Sequence, residues 1–83
     1  MTVTGRVQGV GYRISCAHEA KALELTGSVR NLPDGRVEVI AEGTHDQIAA
    51  LATWCADGPQ FASVRSVDQV AEAPIGEPTF TIR

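Results

Sequence analysis

Val3, Gly5 and Val7 alternate with Thr4 and Arg6, a period of two that predicts a strand. The chain then passes through Gln8-Gly9-Val10-Gly11, where glycines free the backbone for unusual dihedrals. Over residues 13–24 the period becomes helical. Cys16, Ala20 and Leu23 fall on one stripe with Ala17 beside them. Gly27 lies in the expected helix-ending region. Ser28 to Asn31 reads as a short strand, Leu32-Pro33-Asp34-Gly35 as a turn, and Arg36 to Ala41 as the returning strand. Thr44 and Gln47 have the spacing of a capping box at the start of a second helix. Ile48, Leu51, Ala52 and Cys55 form its apolar stripe, and Gly58-Pro59 ends it. Val64 to Val70 predicts a fourth strand, and Thr79 to Arg83 a short last one.

The order β-α-β-β-α-β plus a small terminal strand predicts an α+β fold of the ferredoxin-like kind. Each helix has a single apolar face, so both helices are expected on one face of a mostly antiparallel four- to five-stranded sheet. The helices are expected to run roughly parallel. Cys16 would then begin one helix and Cys55 end the other, beyond the ~7 Å reach of a disulfide. Two free thiols follow, both acting as small buried hydrophobes.

With 83 residues there is room for one domain, residues 1–83, of modest stability. A content of 43% hydrophobic and 20% charged residues is that of a globular chain. No apolar run is long enough to span a membrane, and the N-terminus lacks the regions of a signal peptide, so a cytoplasmic location is expected. The net charge of −3 argues against nucleic-acid binding. That charge is unevenly spread. Residues 1–40 hold Arg6, Arg13, Lys21, Arg30 and Arg36 against Glu19, Glu24, Asp34 and Glu38, for +1, and the remainder carries −4. An anionic ligand therefore belongs with the first half.

The stretch from Gly5 to Arg13 is a strand, a glycine-containing loop and a helix start. Backbone N–H groups in such a loop can converge on one point, and a helix N-terminus adds positive potential. Arg13 supplies a permanently charged planar fork that suits phosphate oxygens. Ile14 stands where a dinucleotide fingerprint needs its third glycine, and no Gly-Lys-Ser/Thr of a P-loop follows. Such a turn also serves purely structural ends. Asn31, just before the turn, has an amide that can hold a water in a fixed direction, or can simply cap its own turn. His18 and His45 are isolated, no carboxylates pair, and no metal-ligand spacing occurs. Arg30 and Arg36 are expected to face solvent, and Tyr12 and Trp54 to be core or rim. Without a general acid, the leaving group has to be weakly basic. A carboxylate, with a conjugate-acid pKa of roughly 4, leaves unaided. A mixed anhydride of phosphate and a carboxylic acid is such a substrate.

Gly5-Arg6-Val7-Gln8-Gly9-Val10-Gly11-Tyr12-Arg13 resembles the first signature of the acylphosphatase family, with Tyr12 where Phe is usual. Gly27-Ser28-Val29-Arg30-Asn31-Leu32-Pro33-Asp34-Gly35-Arg36-Val37-Glu38 resembles its second, and the similarity extends to Phe80-Thr81-Ile82-Arg83. The resemblance implies a hydrolase of small acylphosphates that needs no metal or organic cofactor. It implies phosphate binding by Arg13 and the amides of the loop Gln8, Gly9, Val10, Gly11 and Tyr12, with Asn31 orienting the attacking water. A substrate phosphate oxygen would accept the water's proton. Inorganic phosphate is expected as product and competitive inhibitor, and the protein as a monomer. Ser28 stands where the family usually has Trp, and the first strand is expected to be short. Two further readings fit the same residues: an anion-sensing module without catalysis, and a relative of the acylphosphatase-like domain of hydrogenase-maturation proteins.

Overall fold

The computed structural model describes residues 1–83. Five strands and two helices follow in the order β1 (Thr2–Arg6), α1 (Tyr12–Ala22), β2 (Thr26–Asn31), β3 (Val37–Glu42), α2 (His45–Asp57), β4 (Ser63–Asp68) and β5 (Phe80–Ile82). They form one sheet in the order β4-β1-β3-β2-β5, in which only the β2–β5 pair is parallel. α1 packs on β2 and β5, and α2 on β4. The apolar stripes meet in one core of Val3, Val7, Val29, Val37, Val39 and Phe80 from the strands with Tyr12, Cys16, Ala17, Ala20, Leu51 and Cys55 from the helices. The expected ferredoxin-like α+β sandwich is thus the one observed.

The strand pairings settle the helix directions. β3 is antiparallel to both β1 and β2, so β1 and β2 point the same way. β4 is antiparallel to β1 and so points with β3. α1 returns the chain from β1 to β2 and α2 from β3 to β4, so the helices are antiparallel, contrary to the sequence expectation. The start of α1 then lies beside the end of α2. Cys16 and Cys55 are fully buried free thiols, and they are neighbours rather than distant. Their contact and burial push the Cys16 thiol up, while the contact with Cys16 lowers that of Cys55.

Local chemistry moves several boundaries. α1 begins at Tyr12 because Gly11, at φ 75°, is already its N-cap. It ends before Gly27. Glu24 takes the left-handed conformation at φ 61°, and the Glu24 and Leu25 N–H groups donate back to the Lys21 and Ala20 carbonyls. Gly27 instead lies inside β2 at φ 136°, pressed against the Ile40 carbonyl. α2 starts as the spacing foresaw. The Thr44 hydroxyl accepts from the Gln47 N–H, and the Gln47 side chain accepts from the Thr44 N–H.

β4 stops at Asp68, short of Val70, with Asp68 paired to Thr2 at the start of β1. The chain then runs without regular structure. Glu42 anchors its far end by accepting the Gly76 and Glu77 N–H groups at 2.9 and 3.1 Å. Those bonds hold the Glu42 carboxyl below its usual range.

β1 itself is irregular. Its register with β4 shifts between Thr4 and Gly5, where Gly5 has φ 138°. A Cβ there would meet the Ser63 carbonyl and stand 2.8 Å from the Arg65 nitrogen. This bulge turns the strand end toward the loop that follows. Replacing Gly5 with Ala should cost at least about 2 kcal/mol through combined strain and overlap. A thermal melt should show this as a fall of ~8 °C or more; an unchanged midpoint would mean the bulge relaxes freely.

Candidate active site at the start of the first helix

Residues 7–14 carry β1 into α1, and Gly9 and Gly11 both take φ 75°. A residue with a Cβ would meet no atom at either position, so the glycines are required by conformation and not by space. Gly11 offers no side-chain cap, and the first turn of α1 holds no acidic residue. The first intrahelical bond comes from Ser15 N–H to the Gly11 carbonyl at 3.1 Å. The N–H groups of Tyr12, Arg13 and Ile14 precede it and have no helical partner. Unpaired donors and the positive end of the helix dipole thus coincide at one place.

Beside them is a cavity of about 230 Å³ lined by Val7, Gly9, Gly11, Tyr12, Arg13, Ile14 and Asn31. The two expected functional side chains, Arg13 and Asn31, are therefore brought together with the loop although they come from opposite ends of a helix and a strand. Arg13 Nη1 donates to the Arg83 carbonyl oxygen at 3.0 Å. This fixes the guanidinium while its remaining donors stay available. Arg30 and Arg36 are occupied elsewhere, by Glu38 and Asp34, each at 2.7 Å. Arg13 is the cation that lines the cavity.

Not every expected loop residue points inward. Val10 packs its side chain against the core. The Gln8 side chain turns away and donates from Nε2 to the Leu32 carbonyl at 2.8 Å and to the Arg36 carbonyl at 3.0 Å. Leu32 N–H also donates to the Arg36 carbonyl at 2.8 Å, so Gln8 bridges both rims of the β2–β3 turn. Inside that turn the Asp34 carboxylate accepts from the Arg36 N–H and guanidinium, which holds it below its usual range. Asn31 immediately precedes Leu32, so Gln8 sets the distance between the loop and Asn31.

Tyr12 is core, as expected, but it is also a tie. Its hydroxyl donates to the Cys55 carbonyl at 2.8 Å, and its ring packs on Trp54 at 5.4 Å. The α1 N-terminus is thereby held to the last turn of α2. Burial pushes the Tyr12 hydroxyl far up, so it stays a donor at any ordinary pH. Sequence reasoning did not foresee the Gln8 bridge, the Arg83 contact or Ile14. Ile14 is 70% exposed and adds apolar surface at the cavity rim. An apolar residue on the polar first turn was the one available signal for it.

The arrangement can bind a tetrahedral oxyanion and place a water next to it. Comparison with known proteins identifies the family. The family model described as Acylphosphatase matches residues 1–82. A protein named acylphosphatase from Methylococcus capsulatus is 55% identical over 75 residues, which is 90% of this chain and 82% of that one. A crystal structure of acylphosphatase from Bacillus subtilis superposes with a TM-score of 0.93 at 35% identity, covering 99% of this chain and 92% of that one. A crystal structure of T. kodakarensis HypF superposes at a TM-score of 0.86 and 28% identity, covering 100% of this chain and 12% of that one.

The Gln8 bridge can be tested apart from any activity. Gln8→Glu keeps the shape but removes both donors and sets a carboxylate against two carbonyl oxygens. It should lose roughly 1–2 kcal/mol, at about 1 kcal/mol per hydrogen bond. Denaturant titration should show the loss at pH 7, with Gln8→Ala no worse. A Glu variant as stable as the parent would mean the two bonds contribute nothing.

Proposed function

This chain belongs to the acylphosphatase family and hydrolyses acylphosphates, and we propose that Arg13 and the loop amides grip the phosphoryl group while Asn31 holds the attacking water. One observation supports this assignment of roles above all. A single small cavity is lined by Arg13, Asn31, Gly9 and Gly11 together.

In this mechanism the phosphoryl oxygens lie against the N–H groups of the loop from Gln8 to Arg13. The Arg13 guanidinium neutralises charge that spreads over those oxygens in the transition state. The Asn31 amide positions a water in line with the bond to the acyl oxygen. The water oxygen bonds to phosphorus as the phosphorus–acyl oxygen bond breaks. The electron pair leaves on the carboxylate, and the water's proton passes to a phosphoryl oxygen. The carboxylate needs no proton from the protein, because its conjugate acid has a pKa of roughly 4. No protein base is invoked and no metal takes part in any step.

The substrates are small acylphosphates, and because the grip falls on phosphate the site reads little of the acyl group. Inorganic phosphate, which shares that half of the substrate, acts as product and competitive inhibitor. We place the protein in the cytoplasm as a single-domain monomer. The free, buried cysteines are in keeping with a reducing compartment.

Benzoyl phosphate hydrolysis tests these roles. Arg13→Ala should lose phosphate inhibition and at least roughly 10²–10³-fold in kcat/KM, the scale of removing one transition-state donor. Retained phosphate affinity in that variant would exclude Arg13 as the main anchor. Asn31→Ala should lose a similar factor in kcat while the inhibition constant for phosphate stays within about twofold. An unchanged rate would remove the water-orienting role. Turnover by the parent should persist in excess chelator; loss of it, restored by a divalent cation, would overturn the metal-free mechanism.

A further inference from the structure

The cavity at the start of α1 holds one side chain that the phosphate chemistry leaves unused. Val7 and Tyr12 line it but are buried, with their surface spent in the core. Gly9 and Gly11 offer only main chain, and Arg13 and Asn31 are polar. Ile14 is therefore the one apolar side chain of the cavity that a ligand can touch, and it is 70% exposed. The helix explains where it points. Successive residues of an α-helix turn by about 100°, which sets Ile14 about 160° round from both Tyr12 and Cys16. Those two face the core, so Ile14 faces away from it. Packing gives Ile14 little to do there. Helix propensity does not call for it either, because a β-branched side chain is a weaker helix former than Ala or Leu.

We propose that Ile14 is the residue that contacts the acyl group, and that the enzyme in consequence favours acylphosphates with an aromatic or branched aliphatic acyl group over acetyl phosphate. This rests on the phosphoryl placement proposed above. In-line displacement puts the attacking water and the departing acyl oxygen on opposite sides of phosphorus. Asn31 brings its water from the end of β2, in the sheet layer, whereas Ile14 belongs to α1, in the helix layer. An acyl group that leaves away from Asn31 thus leaves on the side of Ile14. An acetyl methyl is too short to cover much of that side chain. A phenyl ring or a branched chain covers it and sheds water from both surfaces. One contact of this kind is small beside the grip on phosphate, so what little the site reads of the acyl group it reads here. A contact that is the same before and during bond breaking lowers KM and leaves kcat alone.

Acetyl, 3-methylbutanoyl and benzoyl phosphate, compared on the parent and on Ile14→Ala, test this. The ratio of kcat/KM for benzoyl over acetyl phosphate should fall roughly fivefold in the variant, the effect of leaving ~40 Å² of apolar surface in water. The ratio for 3-methylbutanoyl phosphate should fall by less. Both falls should lie in KM. Division by the parent's ratio removes the intrinsic difference between the leaving groups. Ile14→Leu should restore most of the ratio. Inorganic phosphate has no acyl group, so its inhibition constant should stay within about twofold of the parent's. The melting midpoint should not fall, since the side chain is exposed. A ratio unchanged from the parent would overturn the inference and leave the roles of Arg13 and Asn31 standing. Loss of phosphate inhibition in Ile14→Ala would also overturn it, because Ile14 would then belong to the phosphate grip. Failure of the Arg13 and Asn31 roles shows separately, in Arg13→Ala and Asn31→Ala with Ile14 intact.

Discussion

β1 must do two things that conflict within five residues. As an inner strand it bonds to β3 on one side and β4 on the other, which demands regular extended backbone. At its end it must release the chain into a loop whose amides point at no protein acceptor. The bulge at Gly5 reconciles the two by letting the ladder slip one position just before the loop. The rest of the site follows from where that release occurs. Gly9 and Gly11 carry the turn, α1 starts uncapped, and Arg13 falls on its first turn. A regular strand end with an ordinary side-chain cap would satisfy the same N–H groups internally and leave nothing to hold an anion.

Once the loop is placed, two ties hold it in register with the rest of the molecule. Gln8 bonds across the β2–β3 turn, and the Tyr12 hydroxyl bonds to the end of α2. Together they fix the loop against two elements that are remote in sequence. This is why Asn31, which is 18 positions from Arg13, can line the same small cavity. The electrostatics follow the same economy. The chain is net negative, yet its other arginines near the site are neutralised by neighbouring carboxylates. Arg13 instead meets the main-chain oxygen of Arg83, which orients it.

What was legible in the sequence is what depends on neighbours within a few residues. The glycine loop, the Pro-Asp-Gly turn, the Thr44–Gln47 capping box and the apolar stripes are local patterns, and the structure contains each of them. Arg13 and Asn31 could be singled out from their chemistry, and the long signature matches supplied their pairing. The helix directions were not legible in the stripes, because a stripe reports which face is buried and not which way the helix runs. Cys16 and Cys55 were misplaced for that reason alone. The end of α1 was misassigned because Gly27 is the more obvious left-handed residue, whereas Glu24 takes that conformation and Gly27 serves a close strand contact. The Gln8 bridge needs two carbonyls 24 and 28 residues away, which no local pattern encodes.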